Sequence, residues 1–144
     1  MLYENKKLFF NLLCATILCT MLSFGIKNVS AGNIYDTLWQ YNYTPGVSGY
    51  EFTDFREKQD DTSCYGRMES VSNTTVTVKV YGAKSTSGSI TNRTAGVPKT
   101  LAPGQAKYFQ NYVYESGEYY CRLNFTWPYK ERTNIMIWWS PDSI

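Results

Sequence analysis

Carboxylates are the side chains of this sequence whose type and spacing best fit acid–base chemistry. Five of them crowd one short stretch and two more flank a later turn: Glu51, Asp54, Glu57, Asp60 and Asp61, then Glu115 and Glu118. Two such groups could divide the roles of general acid and general base, as they do in glycosidases. However, Arg56 and Lys58 are interleaved with the first group, which is typical of a solvated sheet edge. A small carboxylate-based hydrolase therefore ranks third, below the two non-enzymatic functions considered below.

Histidine is absent from the whole sequence, which removes the commonest general base and the usual nitrogen ligand of metals. Ser-His and Cys-His nucleophile pairs and His-bearing zinc sites are therefore excluded. The segment Gly82-Ala83-Lys84-Ser85-Thr86 lacks the adjacent Gly-Lys and the upstream glycine of a phosphate-binding loop. No EF-hand pattern is present either. The sequence predicts that the protein is not an enzyme and that it uses no metal and no cofactor.

Cys64 and Cys121 are the two cysteines that remain once a predicted leader is removed. Residues 1–31 have a basic start, a long apolar run and a small-residue cleavage site at Val29-Ser30-Ala31, which together indicate a signal peptide and secretion. The alternative for the apolar run is a membrane anchor. An even number of cysteines in an exported chain predicts a disulfide, with two free thiols as the alternative. Closing a loop of about 57 residues would contribute roughly 4 kcal/mol in the chain-entropy model.

Without the leader, the chain no longer has a net positive charge. Three of the 14 basic and one of the 12 acidic residues lie in residues 1–31, which leaves 11 of each and a net charge of zero. Lys and Arg are not clustered, so the electrostatic footprint of a phosphate binder is missing. We therefore expect no nucleic-acid partner and, after processing, no membrane span. Residues 32–144 are expected to form one monomeric domain.

The stretch from Gly117 to Trp127 is the one around which this domain is predicted to pack. Every second residue is apolar, which is the period of a strand with one buried face: Tyr119, Cys121, Leu123, Phe125 and Trp127. Comparable patterns predict further strands over residues 34–43, 50–56, 62–71, 75–81, 107–114 and 134–139. With frequent turns and no helical period, the prediction is an all-β fold: a small antiparallel β-sandwich of about seven strands with one disulfide.

Aromatic residues make up 17% of the sequence, with four Trp and 13 Tyr. A small sandwich can use them as core material while their polar tips stay hydrated. Tyr and Trp are also preferred contact residues of binding surfaces. Neighbours in a strand face opposite ways, so one of Trp138 and Trp139 is predicted to lie outside the core. Those two residues, with Tyr41 and Tyr43, are the candidate binding surface.

Two resemblances follow from short motifs. Gly117-Glu118-Tyr119-Tyr120-Cys121 resembles the penultimate strand of an immunoglobulin domain, where a tyrosine lies two residues before the second cysteine. No tryptophan lies between Cys64 and Cys121, so this likeness supports a sandwich and not homology. Four further motifs are similar to a family of uncharacterised small exported β-rich proteins of Gram-positive bacteria: Asp61-Thr62-Ser63, Asn111-Tyr112-Val113-Tyr114-Glu115-Ser116-Gly117, Arg122-Leu123 and Trp139-Ser140-Pro141-Asp142-Ser143. That resemblance implies export and supplies no catalytic residues.

The leading functional prediction is a secreted, non-enzymatic binding or interaction module. It would present exposed aromatic side chains to an extracellular protein, a cell-wall polymer or a cell-surface glycan. The second hypothesis is a bacteriocin-like antagonistic protein, or its accessory factor, acting on a competitor's envelope. The neutral net charge and the lack of an amphipathic helical pattern count against direct attack on a membrane.

Overall fold

The computed structural model describes residues 32–43, 49–69, 75–127 and 133–144, and there the chain forms ten β-strands and no helix. In chain order the strands are β1 (Thr37–Tyr43), β2 (Tyr50–Phe52), β3 (Arg56–Glu57), β4 (Cys64–Met68), β5 (Val76–Ala83), β6 (Thr91–Asn92), β7 (Lys99–Leu101), β8 (Ala106–Phe109), β9 (Tyr120–Thr126) and β10 (Thr133–Ser140). The predicted leader, residues 1–31, lies outside the described residues. Over the four described ranges, no helix is long and apolar enough to cross a membrane.

The strands form two sheets in which every pairing is antiparallel. The four-stranded sheet has the order β1-β10-β4-β8, and the six-stranded sheet has the order β2-β9-β5-β6, with β3 also paired to β9 and β7 to β5. The predicted all-β antiparallel sandwich is confirmed. The structure has ten strands where seven were expected. The strands that the sequence pattern did not predict separately are β3, β6 and β7, which have only two or three residues each. Segments that short carry no readable period of two.

The core lies between the sheets and is built by alternation along each strand. In β5 the valines Val76, Val78 and Val80 are buried, as the sequence pattern predicted. The six-stranded sheet adds Leu123 and Phe125 from β9. The facing sheet contributes four further buried side chains from β4 and β10: Met68, Ile135, Ile137 and Trp139. Burial of this apolar surface is the main force that holds the two sheets together.

The start of the predicted central strand needs a correction. Tyr119 is 54% exposed and not buried, so the likeness of its position to an immunoglobulin tyrosine has no counterpart here. The reason is the turn before it, in which Gly117 has a φ of 68° and Glu118 donates its N–H to the Val113 carbonyl at 3.1 Å. This turn directs the Glu118 side chain into the protein and Tyr119 outward. The strand predicted over residues 107–114 is also shorter than expected, since β8 covers only Ala106–Phe109.

Candidate functional site

Of the four aromatic residues proposed from the sequence as a binding surface, the structure describes three side chains, and these three do not form one surface. Trp139 is only 1% exposed and belongs to the core. Tyr41 is half-buried, with its ring centroid 5.8 Å from that of Trp127. Tyr43 ends β1, and its side chain lies outside what the structure describes. Trp138 is half-buried on the opposite face of β10 from Trp139, and its Nε1 donates to Glu69 Oε2 at 2.8 Å. Of the three described side chains, Trp138 remains as a surface candidate.

Trp138 belongs to a larger apolar surface on the solvent side of the four-stranded sheet. We call this surface the outer face and define it by five side chains: Leu38, Tyr65, Tyr108, Met136 and Trp138. Leu38 pairs with Trp138 across β1 and β10, and Tyr65 pairs with Tyr108 across β4 and β8. Across β10 and β4, Trp138 pairs with the exposed Arg67. The Tyr65 and Tyr108 rings lie 5.5 Å apart at a tilt of 52°. The sequence missed both tyrosines because only the pairing of β4 with β8 brings them side by side.

A cavity of about 240 Å³ opens beside the two tyrosines of the outer face. Tyr65 and Tyr108 form one part of its wall, and the two ends of the described chain bring Ile34 and Ile144 to another. Asp36 and Ser143 add polar groups to the same lining. The lining therefore combines apolar and polar side chains, and ligand sites also combine the two.

A second cavity, of about 360 Å³, unites two motifs that are far apart in the sequence. Asp61-Thr62-Ser63 forms part of its lining, and Asn111, Tyr112 and Glu115 form another part. Both segments carry the resemblance to exported proteins that was described above. Asp61 and Glu115 also come from the two groups of carboxylates that suggested a hydrolase, so one member of each group reaches the same cavity.

The other carboxylates of those groups are dispersed or have structural partners. Glu118 is almost fully buried and receives two hydrogen bonds from the Arg93 guanidinium, at 2.8 and 3.0 Å. These hydrogen bonds raise the pKa of Arg93 above its ordinary value. Asp54, between β2 and β3, and Glu57, in β3, are both exposed. The two hydrogen bonds between Arg93 and the buried Glu118 make this a structural ion pair.

A buried ion pair lies where β3 ends and the carboxyl-terminal segment crosses it. Lys58 Nζ is 2.6 Å from Asp142 Oδ1, and both side chains are fully buried. Lys58 also donates to the Thr62 carbonyl at 2.6 Å, and Asp60 Oδ1 lies 3.6 Å from the same nitrogen. Burial acts to lower the pKa of Lys58, but the neighbouring Cys64 and the hydrogen bond and charge of Asp142 outweigh it, so this pKa is raised. The sequence pattern had placed Lys58 on a solvated edge.

The other oxygen of Asp142 has its own two donors. The backbone N–H of Asn33 donates to Asp142 Oδ2 at 2.6 Å, and that of Gln59 donates at 3.1 Å. The carboxylate is therefore satisfied on both oxygens, which is what a charge in a fully buried position requires. The loops before β1, after β3 and after β10 meet at this one side chain.

The two cysteines meet in the core beside this ion pair. Cys64 in β4 and Cys121 in β9 come from facing sheets, and their Sγ atoms lie 4.0 Å apart. Both are fully buried free thiols, so the predicted disulfide is not formed in this structure. Burial is the main cause that raises the pKa of Cys121 well above its ordinary value. Asn111 Nδ2 lies 3.6 Å from the Cys64 sulfur and links this pair to the second cavity.

Comparison with known proteins adds one match. A protein-family model described as "Protein of unknown function (DUF2712)" matches residues 27–143, which is more than half of the chain. The matched range includes all ten strands and the buried Lys58–Asp142 pair. No curated protein and no solved structure matches the chain.

Proposed function

This chain belongs to the DUF2712 family of proteins of unknown function, and from its geometry we propose that it is a secreted, non-enzymatic binding module for a cell-wall polysaccharide. The observation that carries the proposal is the position of Tyr65 and Tyr108. The two rings lie 5.5 Å apart on the outer face, directly beside a cavity of about 240 Å³. Tyr and Trp are among the side chains that most often dominate the binding energy of protein interfaces.

The composition of the outer face favours an uncharged polymer. Its charged neighbours Arg67 and Glu69 neutralise each other, with Arg67 Nη2 2.7 Å from Glu69 Oε1. Glu69 also fixes the indole of Trp138 through a hydrogen bond of 2.8 Å. The face therefore offers flat apolar surface bordered by hydrogen-bonding groups. Sugar rings match this arrangement, because they combine apolar C–H faces with hydroxyl groups around the edge.

The sequence is the basis for one part of this proposal, namely that the protein is secreted. The basic start, apolar run and small-residue cleavage site of residues 1–31 support export. In an oxidising environment the thiol pair of Cys64 and Cys121 would be converted to a disulfide, which we propose for the exported protein. Because the two sulfurs already lie 4.0 Å apart, only a small local movement is needed.

The experiment that tests the function measures binding to purified cell-wall sacculi by sedimentation, and to soluble wall-derived oligosaccharides by calorimetry. Tyr108→Ala and Tyr65→Ala should each weaken binding by about tenfold or more, which corresponds to about 1.4 kcal/mol. Tyr119→Ala is the matched control, since Tyr119 is also 54% exposed and its ring lies 6.3 Å from that of Tyr114. The control should bind like the native protein.

Two outcomes would contradict the proposal. One is native protein that fails to sediment with the wall material at any concentration tested. The other is binding that survives both replacements on the outer face but is lost in Tyr119→Ala, since the contact surface would then lie at the turn before β9. Far-ultraviolet circular dichroism and a melting curve of each variant establish that it is folded before binding is measured.

A further inference from the structure

The Lys58–Asp142 pair is unusual in being both fully buried and in direct contact. Both side chains have 0% exposure, and Nζ and Oδ1 are 2.6 Å apart although 84 residues separate them in the sequence. Keeping two separated charges out of water is costly even when they are paired. An amine and a carboxyl group held in contact without solvent are also the two reactants of amide formation.

A second carboxyl group stands beside the pair. Asp60 Oδ1 lies 3.6 Å from Lys58 Nζ. Its own position is fixed by the backbone N–H of Thr62, which donates to Oδ1 at 2.9 Å. Asp60 is about one-quarter exposed, whereas the pair it serves is closed to solvent. It therefore lies within reach of the Lys58 nitrogen and connects the pair to water.

The remaining oxygen of Asp142 is held by donors that suit a developing negative charge. Oδ2 accepts hydrogen bonds from the backbone N–H groups of Asn33 at 2.6 Å and Gln59 at 3.1 Å. Two converging backbone donors are the arrangement that stabilises the oxyanion of a tetrahedral intermediate in acyl transfer. Lys58 Nζ thus contacts one oxygen of the carboxyl group, and two backbone donors hold the other. Bringing the groups together in this way supplies much of what such a reaction needs.

We propose that Lys58 and Asp142 condense into an intramolecular amide that joins the end of β3 to the carboxyl-terminal segment. Lys58 Nζ passes one proton to Asp142 Oδ1 across their 2.6 Å contact, and the neutral amine attacks Cγ of the protonated carboxyl group. The N–C bond forms while the hydrogen-bonded Oδ2 carries the negative charge. Nζ gives up a second proton to Asp60, which delivers it to Oδ1, and Oδ1 leaves as water as its bond to Cγ breaks. One ammonium and one carboxylate become one amide and one water, so no oxidant, reductant or co-reactant is needed.

The cross-link would do for this protein what a disulfide does, without depending on redox conditions. It would tie the strand that borders β9 to the segment that follows β10, and so connect the two sheets covalently. It would also replace two buried charges by a neutral amide. This inference does not depend on the polysaccharide proposal, and it can fail or hold independently of it.

The test is the intact mass of the purified native protein after reduction and alkylation of its cysteines, which separates amide formation from disulfide formation. The expected mass is lower than the sequence mass of the same chain by one water. Tryptic digestion should give a joined pair of peptides, one containing Lys58 and one containing Asp142, with no cleavage after Lys58. Because Asp142 precedes Ser143, a succinimide at Asp142 would lose the same water. Tandem mass spectrometry separates the two, since only the amide joins two peptides.

Asp60→Asn tests the role of the second carboxyl group without removing either reacting partner. The Asn side chain can still accept the Thr62 N–H, so the loop should keep its shape. We expect the fraction of cross-linked chain after purification to fall at least tenfold in this variant. Lys107→Arg is the control, because Lys107 lies in β8 and donates to the Thr100 carbonyl. That control should be fully cross-linked.

A native protein with the full sequence mass would overturn the inference, and so would a water loss that maps to a linear peptide around Asp142. Full cross-linking in Asp60→Asn would overturn the role of Asp60. The peptide map would then decide by itself whether the amide bond exists. None of these outcomes requires a variant of Lys58 or Asp142 to fold.

Discussion

The sulfur atoms of Cys64 and Cys121 lie 4.0 Å apart in the core, although 57 residues separate them in the sequence. The contact forms because β4 and β9 belong to facing sheets and each directs its cysteine inward. Neither strand alone contains the information that the two side chains meet. The same relationship makes the pair a direct test of compartment and stability.

We expect the exported protein to carry a Cys64–Cys121 disulfide. Replacing both residues with serine should then lower the free energy of unfolding by about 2 to 5 kcal/mol, as for native disulfides in small secreted domains. Urea denaturation with and without reductant measures this difference. Reductant should lower the midpoint of the native protein and leave that of the double variant unchanged. Identical midpoints for the native protein in both conditions would show that the thiols stay reduced.

The neighbouring tryptophans of β10 should differ sharply in their effect on stability. Trp139 is 1% exposed and has the Arg56 guanidinium 5.3 Å from its ring centroid, so Trp139→Ala should cost about 3 to 5 kcal/mol as a core truncation. Trp138 is half-buried on the outer face, and Trp138→Ala should cost about 1 kcal/mol or less. Chemical denaturation of the two variants measures both values. Similar large losses at both positions would mean that the outer face is packing surface.

Trp127→Ala extends the same reasoning to the end of β9. Trp127 is almost fully buried, with its ring 5.8 Å from that of Tyr41, so its removal should also cost about 3 to 5 kcal/mol. The measurement is the same denaturation series. A loss near that of Trp138→Ala would show that this end of the sandwich contributes little to the core.

Asp60 should make the protein sensitive to acid. Partial burial pushes the pKa of Asp60 upward, but hydrogen bonds from the Thr62 hydroxyl and N–H outweigh it and hold this pKa below the ordinary value of 3.8. A carboxyl group whose pKa is lower in the folded state stabilises that state above its unfolded pKa and loses this contribution as the pH falls through the folded one. Unfolding midpoints should therefore drop below about pH 4, and less steeply in Asp60→Asn. The exposed neighbour Asp61 supplies the control, Asp61→Asn, which should follow the native curve. Coincident curves for Asp60→Asn and the native protein would contradict the prediction.

Gly82 in β5 is required by the side chain that lies above it. A Cβ at this position would collide with the buried Glu118 carboxylate and come within 3.1 Å of Val113 Cγ1. Gly82→Ala should therefore displace Glu118 from Arg93 and cost about 1 to 3 kcal/mol through overpacking. Gly88→Ala is the control, because its Cβ would meet the side chain of exposed Ser85 at 3.0 Å, and its cost should be within about 0.5 kcal/mol. Equal melting temperatures of the two variants would contradict this account.

We expect export to remove the leader after Ala31, so that the secreted chain begins at Gly32. Mass spectrometry of culture supernatant, with sequencing of the amino-terminal peptide, identifies the first residue. In the structure a Cβ at Gly32 would collide with the side chains of Asp60 and Asp142, so the residue expected to begin the processed chain packs against the buried ion pair. A full-length chain that starts at Met1 and stays with the membrane fraction would contradict this prediction.

The sequence by itself determined the fold class and the faces of the main strands. Alternation in β5 and β9 predicted that Val76, Val78, Leu123 and Phe125 are buried, and the structure confirms each of them. The same argument predicted that Trp138 and Trp139 face opposite ways. These conclusions hold because the side-chain period of a strand is local: it depends on neighbours in the chain and on which face is apolar.

Only the tertiary structure decided which residues meet at the ends of the strands. Lys58 and Asp142 lie in segments without a period, and the pattern of surrounding charges placed Lys58 in solvent, yet the two are in direct contact inside the protein. Glu118 and Tyr119 exchanged their expected places because the turn at Gly117 sets the direction of the chain entering β9. Tyr65 and Tyr108 share the outer face through the register of β4 and β8. Strand pairing and loop crossings depend on contacts between segments that are distant in the sequence. Local periodicity therefore cannot predict which strands pair or which loops cross.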